Sequence, residues 1–232
     1  AMLPLVQPGG RMFGMDVDPI ELPRTAARLR ALGFGDDVLT VQRANFSELA
    51  ILLPQAGSGF DFVLADLGVS SMQIDNPARG FSFRADGPLD LRLDPTSGQS
   101  ASELLLCVTR RRLRDLLMDN ADEPFAEPLA AALQGQYVET TVKLADLVRA
   151  TMELVYKRNM PAQERLAETK KVLQRTFQAL RIEVNDEFGV LDKMLQNLPA
   201  CLKPGGRVAI LSFHSGEDRR VKKCFQTGER NG

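Results

Sequence analysis

Histidine is almost missing from this chain: His214 is the only one in 232 residues. A histidine-rich metal site is thereby excluded, and no metal is expected. Cysteine is scarce as well. Cys107, Cys201 and Cys224 are an odd number without CxxC spacing. That argues against a disulfide framework or a zinc knuckle and for a reducing compartment. No apolar run approaches the ~18 residues of a membrane span. No charged-then-apolar start with a small-residue cleavage site is visible, so no secretion signal is expected. Tandem repeats and low-complexity tracts are absent too.

What remains is the composition of a folded globular chain, 44% apolar and 25% charged. The length suits one large or two small domains. The net charge of −1 hides an asymmetry. Residues 1–100 hold 8 basic and 12 acidic side chains, net −4, whereas 101–232 hold 21 and 18, net +3. A nucleic-acid partner is allowed, and local basic faces would have to supply the contact.

The first hundred residues alternate strand and helix. Arg11–Asp16 reads as a strand, and Asp18-Pro19-x-Glu21 opens a helix that stops near Gly33. Val38–Gln42 is a second strand, followed by a helix from about Phe46 to Leu53. Phe60–Asp66 is a third strand, apolar and ending in a carboxylate. Such alternation predicts a parallel sheet covered on both faces. Residues 68–99 are rich in Gly, Pro, Asp and Ser without a sustained period, which marks a long functional loop.

Residues 101–173 read as helices only, with candidates at 110–118, 123–134 and 143–156 and a break at Asn159-Met160-Pro161. A long helical pattern follows from Thr176 to Leu202, then a Pro204-Gly205-Gly206 turn, a strand over Arg207–Phe213 and a closing helix over 215–225. Pro8-Gly9-Gly10-Arg11 repeats the later turn, so residues 1–7 are read as the tail of a helix and the chain as starting mid-fold. The expected division is 1–100 and 175–232 as one α/β domain, with 101–174 as a helical insertion.

Five segments carry candidate chemistry. Asp16, at a strand end, can accept both hydroxyls of a ribose, or stand solvated. Phe46 can lie against an adenine ring, or belong to the core. Asp66 to Gln73 sits where open α/β sheets bind ligands, and its Ser70 and Ser71 hydroxyls either face a flat substrate or cap a turn. In Arg79–Arg92, arginines interleave with Phe81 and Phe83, as in loops that grip phosphates and stack unpaired bases; a lid that packs both rings inward fits equally well. His214 follows the last strand and can relay a proton, or be structural. The basic runs at 110–114, 170–175 and 219–223 are either phosphate contacts or solvated faces.

DLGVSS at 66–71, RGFSF at 79–83, DGPLDLRLD at 86–94, RTFQALRIEVN at 175–185 and SFHSGEDR at 212–219 occur in one order. Together they resemble the RsmH/MraW family of S-adenosylmethionine-dependent ribosomal RNA methyltransferases, from about Gly10 to Lys223. The resemblance implies a Rossmann-like methyltransferase sheet with an inserted all-helical, substrate-recognition domain. It implies methyl transfer to the N4 amine of a cytidine in small-subunit (16S-type) ribosomal RNA, in ribosome biogenesis. Cofactor contacts would fall on Asp16, Phe46, Asp66 and Gln73. Asp66, Ser70 and His214 are the candidate catalytic residues, and Arg79, Arg84, Arg92 and Arg175 the candidate RNA contacts.

The family carries a Gly-rich loop (Asp-x-Thr-x-Gly-x-Gly-Gly-His) after its first strand, and a tail with an Asn-Pro-Arg-Ser-x-like segment. Neither stands within these 232 residues, so an N-terminal strand–loop unit is expected to be missing. The segment over Glu123–Pro128 is less basic than the family's, and Glu168-Thr169-Lys170-Lys171 replaces a family histidine. Two rival readings follow: an inactive member serving as an RNA-binding or ribosome-assembly protein, and a nicotinamide-dependent dehydrogenase using Asp16 for the ribose. The expected partner is small-subunit RNA or a 30S-type particle, with no membrane and with a homodimer left open. The expected location is the cytoplasm, with chloroplast or mitochondrion as the alternative.

Overall fold

The computed structural model describes residues 2–156 and 160–231, so Asn159 of the expected break and Ala1 lie outside the described residues. The chain is mixed α/β and divides into two compact units: residues 1–67 with 188–232, and residues 68–187.

Among the described residues the first unit holds four strands: β1 (Met12–Asp16), β2 (Leu39–Arg43), β3 (Phe60–Asp66) and β4 (Leu202–Leu211). Helix α1 (Glu21–Ala31) links β1 to β2, which pair in parallel with Met12 opposite Leu39. β3 and β4 also pair in parallel, Val63 opposite Val208 and Asp66 opposite Leu211. Parallel pairing is what the alternation predicts, because parallel neighbours need a long crossover. Among the described residues the strands form two parallel pairs.

The expected helix from Phe46 is a 3₁₀ helix over Phe46–Leu52 that continues as a short α2 (Leu53–Ala56). Pro204-Gly205-Gly206 is taken into β4 as a bulge, since the register jumps from Phe60–Leu202 to Phe62–Arg207. Gly205 supplies the left-handed φ of +79° that this excursion needs, as Gly9 does at +83° before β1.

α9 (Glu187–Cys201) lays Leu191, Leu195 and Leu198 against Val63 and Leu67. That spacing puts the three leucines on one face, and each buried leucine contributes about 1.5–3 kcal/mol. α10 (Ser215–Asn231) follows β4.

The second unit is helical after its opening loop. Two short helices, α3 (Ser71–Ile74) and α4 (Ala101–Cys107), precede α5 (Arg110–Ala121), α6 (Ala126–Leu133), α7 (Thr141–Val155) and α8 (Ala162–Val184). Their core includes Leu105, Leu113, Leu117, Leu129, Leu144 and Leu180, each fully buried. The single helix expected from Thr176 to Leu202 is two helices, broken where Asp186 turns left-handed at φ 48°. The apolar period runs straight through the break as Leu180, Val184, Phe188 and Leu191, which is why the pattern conceals it.

Candidate functional site

In the first unit the expected residues follow strand ends. Asp16 ends β1, and its Oδ1 accepts the Asp18 N–H at 2.9 Å. Asp18 is fully buried, and its own Oδ1 accepts the N–H groups of Ile20 (2.8 Å) and Glu21 (3.1 Å), capping α1. This division of labour leaves Asp16 exposed at the strand tip.

After β2, Asn45 Oδ1 accepts the Ser47 N–H at 2.9 Å, and the Ser47 carbonyl accepts from Asn197 Nδ2 at 3.1 Å. These bonds fix the turn that carries Phe46. Its ring is half-buried against the core, so the apolar-core reading holds for part of it.

Asp66 is exposed at the end of β3. Phe46, Met15 and Asp66 line one cavity of about 650 Å³, together with Phe13, Phe62 and Leu64. Asp16 stands one residue beyond that lining.

His214 follows β4. Its ring lies against Phe188 with 5.8 Å between ring centres, and Nε2 is 3.3 Å from Glu217 Oε1. Glu217 Oε2 accepts the Phe213 N–H at 2.8 Å, which pins the turn into α10. The imidazole is 11% exposed and is turned into its own unit.

The second unit holds the remaining candidates. Ser70 Oγ accepts the Gln73 N–H at 3.3 Å while Gln73 Oε1 accepts the Ser70 N–H at 2.8 Å. This reciprocal cap is the bland alternative for the serine, and it takes up one oxygen on each side chain.

Two arginines expected on phosphates turn into the loop instead. Arg79 is 4% exposed and donates through Nη2 to the carbonyls of Arg92 (3.1 Å) and Leu93 (2.8 Å). Arg92 grips Asp90 with two bonds, 2.9 and 2.6 Å, and reaches the carbonyl of Gly98 at 3.1 Å. The Asp90 carboxylate raises the Arg92 pKa above its ordinary value. Both guanidiniums therefore brace the segment 79–98. Phe81 and Phe83 pack against the helical core, Phe83 at 5.2 Å from Phe177.

Arg84 is exposed, and among the described residues no side chain takes its guanidinium. Arg175 Nη1 lies 3.7 Å from buried Glu123 and 3.5 Å from Glu168. Most of the basic runs pair with acids: Arg110 with Glu127, Arg112 with Glu183, Lys222 with Asp218.

Sequence reasoning missed Asn185. Its Oδ1 accepts the Leu93 N–H at 2.7 Å, and its Nδ2 donates to the carbonyls of Leu91 and Arg181, both at 2.8 Å. The only signal was its place as the last residue of the segment RTFQALRIEVN.

The sequence profile of the MraW methylase family matches residues 1–231. The chain belongs to the MraW methylase family. Among curated relatives it is 50% identical over 237 residues to ribosomal RNA small subunit methyltransferase H 1 of Agathobacter rectalis, covering 100% of this chain and 66% of that protein. The namesake from Lachnoclostridium phytofermentans is 49% identical over 236 residues, with 100% and 63% covered. Ribosomal RNA small subunit methyltransferase H of Leptothrix cholodnii is 41% identical over 227 residues, with 95% and 66% covered. The chain thus spans just under two thirds of the length of these MraW-family relatives. Among the described residues no helix is long and apolar enough to cross a membrane.

Proposed function

We propose that this MraW-family chain carries the fold of an S-adenosylmethionine-dependent methyltransferase that modifies the N4 amine of a cytidine in small-subunit ribosomal RNA. The observation behind this reading is the placement of Phe46 and Asp66 on one cavity, with Asp16 ending β1 and His214 following β4. Membership in the family and the names of three relatives support it. The segment 101–174, inserted in sequence, is proposed to recognise the RNA.

The residues present suit the donor. The Phe46 ring offers an apolar flank for an adenine, and the exposed Asp16 carboxylate suits ribose hydroxyls. S-adenosylmethionine supplies an electrophilic methyl group on a sulfonium.

The cytosine amine is a weak nucleophile because its lone pair is delocalised into the ring. Asp66 is the group to accept a hydrogen bond from that amine and localise the lone pair. The Ser70 hydroxyl, four residues on, still has a proton to donate once its oxygen has capped α3. The reacting atoms must be held in line, which a rigid strand end does better than a free loop. The target base must be unpaired or flipped.

Of the two groups expected to take the departing proton, Asp66 is the exposed one, and His214 is turned against Phe188 and Glu217. Asp66 or solvent is the better acceptor. Arg84 is the best-placed arginine for a phosphate.

The test uses labelled S-adenosylmethionine and small-subunit particles, with the Agathobacter rectalis relative as positive control. Label recovered as N4-methylcytidine supports the reading. A folded protein that binds the donor and transfers nothing, beside an active control, overturns it.

A further inference from the structure

The two halves of α8 are held very differently. Val172, Leu173, Thr176 and Phe177 are buried in the helical core. Of residues 162–171, only Arg165, Glu168 and Thr169 are partly buried. Ten helical residues at 1.5 Å each make an arm about 15 Å long.

The arm meets the rest of its unit through polar groups. Thr169 Oγ1 lies 3.3 Å from the phenol oxygen of Tyr156, just after α7, and the Tyr156 ring stands edge-on to Phe125 with 6.0 Å between ring centres. Glu168 Oε1 is 3.5 Å from Arg175 Nη1, and the same Nη1 is 3.7 Å from Glu123 Oε2. Glu123 belongs to the turn that links α5 to α6, and its side chain is fully buried. Its Oε1 accepts the Phe125 N–H at 2.8 Å. Oε2 and the Arg175 Nη1 are buried too, and among the described residues neither has a hydrogen-bond partner. One guanidinium nitrogen thus stands between two carboxylates, too far from each for a good hydrogen bond.

The other charges nearby are accounted for. Lys171, on the arm, bonds Glu168 at 3.2 Å. On α6, Glu127 is turned to Arg110 and Arg114. Asp122 precedes Glu123 in the turn, with the left-handed φ of 49° that ends α5. Burial makes Glu123 hold its proton more tightly, and the charge of Glu168 adds to that; the Phe125 N–H and Arg175 oppose it. Opening the turn returns the carboxyl to water and removes the penalty on its ionised form.

We propose that Glu123, Arg175 and Glu168 form a proton-operated latch between the α5–α6 turn and the arm of α8. With Glu123 protonated, the turn is closed and the charge of Arg175 falls to Glu168 within the arm. Loss of the proton leaves a costly buried carboxylate, and the turn and the arm open locally while the helical core stays folded. Opening loosens Arg165 and Lys170, two cations of the arm without an acid partner among the described residues. The latch lies within the helical unit and holds whether or not methyl transfer occurs.

The test is native-state amide hydrogen exchange from about pH 4 to about pH 8, corrected for the intrinsic pH dependence of exchange. Phe125, Ala126 and Thr169 should be at least about tenfold less protected than Leu117 and Leu180 in the core. Their protection should fall by up to about tenfold per pH unit above the unfolded value of about 4.3, then level off at the folded value. Glu123→Gln should abolish this fall. Glu168→Gln removes a charge that helps Glu123 keep its proton, so the levelling-off should move to lower pH. Three outcomes overturn the proposal: turn and arm protected as strongly as Leu117 and Leu180, a flat profile in the folded wild type, or a Glu123→Gln profile with the wild-type slope. If Glu123→Gln does not fold, Glu168→Gln decides, and an unshifted profile overturns the latch.

Discussion

Asn185 holds together two stretches of backbone with one side chain. It satisfies the end of α8 at Arg181 and the loop at Leu91 and Leu93. Leu91 needs that support. It is buried with φ 63°, in the left-handed region that costs an L-residue about 1–2 kcal/mol. Asn185→Ala should therefore destabilise the protein by about 2–3 kcal/mol, read as a shift in the urea midpoint of the helical signal.

Glu123 makes a pH prediction. Burial pushes its carboxyl above the ordinary range, while the Phe125 N–H and the Arg175 guanidinium pull the other way. A folded pKa above the unfolded one means that the proton is held more tightly in the native chain. The stabilisation is complete below the unfolded value of about 4.3 and is lost as pH rises through the folded value. Glu123→Gln has no such titration. Urea unfolding from about pH 4 upward should show the wild type losing ground to that variant.

At the proposed site, Asp66→Ala should lower methyl transfer about a hundredfold. Donor binding by calorimetry should change less if Asp66 acts mainly on the amine.

At the scale of elements, the loop over 68–99 is the most revealing. Its composition predicted irregularity but not order. The structure pins it with Arg79, Arg92 and Asn185 and folds it back on itself. A Cβ on Gly80 would meet the Pro88 carbonyl oxygen at 2.2 Å, and Gly80 has φ +73°. Gly80→Ala should open this crossing, with faster proteolysis between residues 68 and 99 as the readout. The cap ahead of α1 was more legible: Asp18 does the capping work expected of it, whereas the reciprocal box of Ser100 and Glu103 at the start of α4 went unread. Caps are local, so residue type and spacing suffice to find them. The break between α8 and α9 is not local in that sense. An unbroken apolar period covers it, and the left-handed turn at Asp186 marks it only in the folded chain.

At the scale of the molecule, residues 68–187 form a contiguous unit with its own core, whereas the other unit is assembled from two separated stretches. A fragment of residues 68–187 should therefore give a helical circular dichroism spectrum and a cooperative melt. The separate pieces 1–67 and 188–232 should not, because β3 and β4 are each other's partners.

The amino-acid sequence by itself determined the positions of the first three strands, the carboxylates that end two of them, the helical middle and the family. Each of these follows from periodicity or from residue order along the chain. Only the tertiary structure decided which arginines face solvent, where the long helix breaks, and that the four described strands pair two by two. Those outcomes depend on which backbone and side-chain groups meet across the fold, and one-dimensional spacing does not contain that information.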